Sequence, residues 1–173
     1  MLGESASVRL ARLPNAGCSS RDEMFDRFLN FLKDMPGARQ GGDADDPRVA
    51  AAALLYHLMD ADGVRERGEI TQLRTLMSEM FGITGAELER VLSAGEKADE
   101  EAVDLYAFTS VIDRHLEQSA KCELISIMWE MVFADGEAHE LEDNLVWRVA
   151  ELIHVEREQR IALRQRARAE AGA

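Results

Sequence analysis

The sequence predicts an all-α protein: a compact helical bundle of about seven to eight helices containing two pseudo-symmetric helical hairpins. Three observations lead there. Apolar residues recur at i, i+3, i+4 and i+7 along most of the chain, and no stretch alternates with the two-residue period of a half-buried strand. Helix caps and Gly or Pro breaks divide the chain into segments of helical length. One helix–turn–helix pattern occurs twice, offset by 73 residues.

The elements follow in order. Residues 1–23 mix Gly, Ser, Pro14 and Asn15 without a period, and read as a disordered or non-native N-terminal extension. Met24 is the expected biological start. From it the pattern Phe25, Phe28, Leu29, Leu32 reads as an amphipathic helix that Pro36-Gly37 ends, so residues 24–173 read as a single helical domain. Asp46-Pro47 opens the next helix, with Asp as N-cap and Pro at the first helical position. It runs over residues 48–60 and stops at Asp62-Gly63. A helix from about Glu66 to Phe81 carries Ile70, Leu73, Leu76, Met77 and Met80 on one face. Thr84 and Glu87 have capping-box spacing ahead of Leu88, Val91 and Leu92. The acidic stretch Asp99–Glu101 is expected to separate that helix from one bearing Leu105, Phe108, Ile112 and Leu116. Ser119 reads as the cap of a helix over 120–133, which ends at Asp135-Gly136. Leu145, Val146, Val149, Leu152 and Ile153 mark another, and Glu156 to about Arg168 forms a last helix around Ile161.

The formal charge is −13, and residues 24–153 alone carry −15. Such a body repels nucleic-acid phosphates and anionic lipid and attracts cations and basic partners. No apolar run approaches the roughly 20 residues that cross a bilayer, and no apolar leader follows Arg9 and Arg12. Cys18 and Cys122 make neither a disulfide framework nor a CxxC metal site, so reduced thiols and a cytoplasmic location are expected. No Ser-His-Asp or Cys-His arrangement, phosphate-cradling Gly loop or HExxH is present, which speaks against an enzyme.

The repeat is the informative feature. The 73-residue shift brings Ala61-Asp62-Gly63 onto Ala134-Asp135-Gly136, Glu69 onto Glu142, and Leu55, Leu58, Leu73 and Leu76 onto Met128, Met131, Val146 and Val149. Each unit reads Asp-Gly-x5-Glu, the spacing of the second half of an EF-hand loop. The first half is missing, because its first ligand position falls on Leu58 and on Met131. An EF-hand is therefore excluded, but carboxylates gathered at a turn still suit a hard cation supplemented by water or carbonyl oxygens. His139 with Glu142 and Asp143 would suit Zn²⁺ instead. Capping alone explains the same residues: Gly ends a helix in the left-handed conformation, and acids in a first turn complement the helix dipole. The helices between residues 84 and 117 are expected to bridge the two hairpins.

Two segments carry a family likeness: Ala51-Ala-Ala-Leu-Leu-Tyr-His-Leu-Met-Asp-Ala-Asp-Gly63 with Glu69, and Trp129-Glu-Met-Val-Phe-Ala-Asp-Gly136 with Glu142. With them, residues 24–166 resemble the TerB family, named for bacterial tellurite resistance. Leu105-Tyr-Ala-Phe-Thr-Ser-Val111 and Glu142-Asp-Asn-Leu-Val-Trp147 resemble its stand-alone bacterial branch. The resemblance implies a bundle of about seven or more helices, an acidic cluster for a divalent metal, and a role in a cytoplasmic stress-response or membrane-associated protein complex. By that match Asp62, Glu69, Asp135 and Glu142 take the metal positions, with Asp60, Glu66, Glu137, His139 and Glu140 as additional candidate ligands. Ca²⁺ is the first choice of metal, ahead of Zn²⁺ and Mg²⁺. His139 stands where the first repeat has an acid, which sets the two turns apart. Protein partners are expected, nucleic acid and direct membrane insertion are not, and the oligomeric state is left open.

Overall fold

The computed structural model describes residues 42–61, 63, 67–134 and 138–172. The readings made for residues 1–41, including the extension and the Met24 helix, lie outside the described residues. After a 3-10 turn at Asp43–Asp45 come seven helices: α1 Pro47–Met59, α2 Arg67–Phe81, α3 Gly85–Glu101, α4 Tyr106–His115, α5 Gln118–Val132, α6 Glu140–Leu152 and α7 Arg157–Ala171. No strand occurs among the described residues.

The first helix starts as its sequence directs. The carboxylate of Asp46 accepts from the backbone N–H of Arg48 at 2.9 Å, and Pro47 occupies the first helical position. Every residue of α1 except His57 is buried. A helix apolar on all sides belongs at the centre of a bundle, and α1 touches α2, α3, α4, α5 and α6. Its small residues let α3 approach closely: a Cβ on Gly95 would lie 2.5 Å from Ala52 Cβ and 3.1 Å from the Ala53 nitrogen. The second centre is α5, buried through Ala120, Leu124, Ile127, Met128 and Trp129, and it packs most extensively on α7.

The duplication is visible in the backbone. Helices α1 and α5 end at Met59 and Val132, and α2 and α6 begin at Arg67 and Glu140, each pair 73 residues apart. The C-caps have nearly the same dihedrals, φ −84°, ψ −3° at Asp60 and φ −92°, ψ 3° at Phe133. Their N–H groups bond to Tyr56 and Trp129 carbonyls, both at 3.0 Å. The repeat is longer than the sequence pattern indicated. As α3 packs mainly on α1, so α7 packs mainly on α5, which makes each unit three helices. Only α4 is left as a bridge, touching α1 and α6.

Four details correct the sequence reading. Thr84 makes no capping bond, because Gly85 turns into α3 with φ +58° and Glu87 is drawn away to Arg48 Nη1 at 2.7 Å. Ser119 lies inside α5, whose N-cap is Glu117. Asp99–Glu101 form the last turn of α3, and the break falls at Ala102–Leu105, where the Asp104 carboxylate accepts from the Tyr106 N–H at 2.8 Å. The last helix buries Leu163 and Ala167, whereas Ile161 is exposed.

Ion pairs lock the ends. The Arg48 guanidinium holds Asp46 through Nε at 2.9 Å and Nη2 at 2.6 Å, and Arg90 joins Asp43 at 2.6 Å. Burial raises the pKa of Asp46, but the Arg48 hydrogen bonds and the charges of Arg48 and Arg90 together hold it below the ordinary carboxylate value. In the second unit, Arg164 lies 5.3 Å from the Trp129 ring centroid and 5.8 Å from that of Phe133, and donates to Asp143 Oδ1 at 2.6 Å. Stacked on those rings and held by Asp143, it ties α7 to α5 and α6.

Candidate functional site

The two acidic turns join α1 to α2 and α5 to α6. In the first, Ala61 N–H bonds to Leu58 O at 3.1 Å, and Gly63 N–H bonds to Asp60 O at 3.1 Å. Gly63 sits at φ +81°, the left-handed conformation that explains glycine in the motif. In the second, Ala134 N–H bonds to Met131 O at 3.2 Å, the counterpart of the first contact. Asp62, Glu66, Asp135 and Glu137 lie outside the described residues.

The remaining predicted ligands are placed. Glu69 and Glu142 are each the third residue of the second helix of their hairpin, and both are half-buried. Asp60 is the exposed C-cap of α1, His139 the exposed N-cap of α6, and Glu140 the exposed first residue of α6. Glu142 Oε2 accepts from the His139 backbone N–H at 3.1 Å, which is the reach-back half of a capping box. Asp143 is taken by Arg164, so it does not join His139 and Glu142 in a zinc-type group. Among the described residues, no three His, Cys, Asp or Glu side chains lie together as a metal-holding group. Glu69, Glu142, Asp60 and Glu140 are all oxygen donors, the type a hard cation takes, but they stand on two separate turns and do not form one group.

One feature no motif announced. A cavity of about 430 Å³ opens between the C-terminal part of α1, the α3–α4 turn and one face of α6. The sequence read Leu145 only as core and did not single out His57 or Arg148. The signal available was the difference between the hairpins: Gly68, Thr71, Gln72 and Thr75 of α2 correspond to Leu141, Asn144, Leu145 and Arg148 of α6.

The arrangement defines a class: an all-α module of duplicated three-helix units, each with an Asp-Gly-x5-Glu turn. Residues 48–165 match the family model for the tellurite resistance protein TerB, and the chain belongs to the TerB family. No curated protein and no solved structure matches it. No helix among the described residues is long and apolar enough to cross a membrane.

Proposed function

We propose that the protein is a non-enzymatic TerB module that binds a divalent cation at its two acidic turns and works through protein partners in a cytoplasmic stress-response complex. Ca²⁺ is the first choice, ahead of Mg²⁺ and Zn²⁺. The equivalence of Glu69 and Glu142 carries the reading: two half-buried carboxylates at matching positions, each following an Asp-Gly pair at the same spacing. One cap per helix start does not require Asp135, Glu137, Glu140 and Glu142 together, and their mutual repulsion weakens the fold unless a cation offsets it. A bound cation would supply that charge compensation and fix the turn geometry.

A second reading has its own observation. The Glu142–His139 bond shows a capping role, which suits a structural interaction module whose acids only cap helices. Capping and coordination are compatible, because an ionised carboxylate has about four acceptor sites. Melting with and without millimolar Ca²⁺ separates the two. Glu142→Gln keeps an oxygen to accept from His139 but removes the charge. Under the cation reading, Ca²⁺ raises the wild-type melting temperature. Either single variant, Glu69→Gln or Glu142→Gln, reduces the rise, and the double variant abolishes it. Saturation at 100 times Kd is worth about 2.7 kcal/mol. A wild-type protein indifferent to Ca²⁺, Mg²⁺ and Zn²⁺ leaves the capping reading standing alone.

A further inference from the structure

The cavity beside α6 combines features that neither hairpin packing nor the acidic turns require. Its inner wall is apolar, formed by Leu105 and Phe108 of α4 and its approach and by Leu145 of α6. Arg148 lines it one turn beyond Asn144, and makes no ion pair with a described residue in a chain of 33 acids. Asp104 lines it too, spending Oδ1 on the Tyr106 N–H at 2.8 Å. It forms no ion pair with Arg148, although both face the same cavity. His57 completes the polar wall. Its Nδ1 lies 2.9 Å from Asp99 Oδ1, and the Asp99 side chain is only 6% exposed, so this contact orients the ring. Val103, 99% exposed, and Leu141, 63% exposed, leave apolar surface at the mouth.

The lining is not shared between the repeats. The matching face of α2 carries Gly68, Thr71, Gln72 and Thr75, and that hairpin folds without the Leu, Asn, Leu, Arg series. Leu141 and Arg148, which pairs with no acid among the described residues, lie on the same face of α6 as the apolar wall.

We propose that this cavity binds a free apolar amino acid as its zwitterion. The α-carboxylate pairs with Arg148, assisted by the Asn144 amide. The α-ammonium pairs with the Asp104 carboxylate. The side chain packs on Leu105, Phe108 and Leu145. An acid and a base lining one partly apolar cavity match a net-neutral ligand with both charges, which the overall charge of −13 does not repel. A volume of about 430 Å³ lies in the size range of small-ligand sites and accommodates a large apolar amino acid.

Titration calorimetry on the full chain tests this with L-phenylalanine as probe. Glycine, phenylalaninamide and N-acetyl-phenylalanine serve as comparators that lack the side chain, the carboxylate and the ammonium respectively. The expected order is phenylalanine bound at least tenfold more tightly than each comparator. Arg148→Gln weakens phenylalanine at least tenfold and leaves phenylalaninamide unchanged. Asp104→Asn, which keeps a capping oxygen for Tyr106, weakens phenylalanine similarly and leaves N-acetyl-phenylalanine unchanged. Arg166→Gln, on the exposed face of α7, changes nothing. Both cavity variants alter exposed side chains and are expected to melt within a few degrees of wild type. Absence of phenylalanine binding at 10–20 mM, equal binding of the amide, or unchanged binding by Arg148→Gln would each overturn the assignment.

Discussion

Gly95→Ala adds one methyl group where α1 and α3 are closest. Alanine in place of glycine inside a helix ordinarily contributes about 0.5–1 kcal/mol. Here the new Cβ would meet Ala52 Cβ at 2.5 Å, Ala53 N at 3.1 Å and Ala52 C at 3.2 Å. None of these atoms is the end of a flexible side chain, so relief requires the helices to separate by about 1 Å. Because α1 also touches α2, α4, α5 and α6, that shift spreads through the core. Overpacking of this kind costs about 1–3 kcal/mol, which outweighs the propensity gain and leaves a net loss of about 1–2 kcal/mol. At about 2–4 °C per kcal/mol for a domain of this size, the melting temperature falls by roughly 3–6 °C. Gly68→Ala is the control: the same change at an exposed position of α2, with nothing within 4 Å of the added atom, should be neutral or stabilising by up to ~1 kcal/mol. Urea unfolding followed by circular dichroism measures both. Gly95→Ala as stable as wild type would refute the close packing of α1 on α3.

The other expectations concern the locks at the helix ends. Arg48→Ala leaves the buried Asp46 carboxylate, among the described residues, with only Arg90 at 3.6 Å as a cationic neighbour, and should cost about 2–3 kcal/mol in urea unfolding. Asp46 and Asp113 both titrate below their ordinary value, Asp113 through the Lys121 hydrogen bond first and His154 second. A depressed folded pKa gives stability that is whole above the unfolded value of 3.8 and lost as pH falls through the folded one, so the acid limb of the stability curve should lie below about pH 4. Arg48→Ala should flatten that limb; an unchanged limb would show that Asp46 does not contribute. His154 holds φ +60° between α6 and α7, where Val155 N–H bonds to Ala150 O at 2.9 Å, so His154→Gly should relieve left-handed strain and raise stability by up to ~1 kcal/mol. A drop would mean that the His154–Asp113 contact at 3.1 Å outweighs the strain.

The helices were legible because each carries its own signal: Asp46-Pro47 at a start, apolar faces at helical spacing, and a turn motif written twice. The motif also located Glu69 and Glu142 at matching positions. Misreadings came where tertiary partners competed with local chemistry. Glu87 had the spacing to cap α3, but Arg48, 39 residues away in sequence, offers a charged donor. Gly95 carries no local signal in the sequence, and its reason lies on Ala52 and Ala53 of another helix. The cavity was invisible for the same reason. His57, Asp104 and Arg148 come from three separate segments, and only the packing of α1, α4 and α6 brings them to one wall.

The cation claim is tested most directly by titration calorimetry of Ca²⁺ into the metal-free full-length protein at low ionic strength. Two binding events per chain, lost together in the Glu69→Gln/Glu142→Gln double variant, are the expected result. No heat of binding for Ca²⁺, Mg²⁺ or Zn²⁺ at millimolar ion, or binding that the double variant retains, would contradict it.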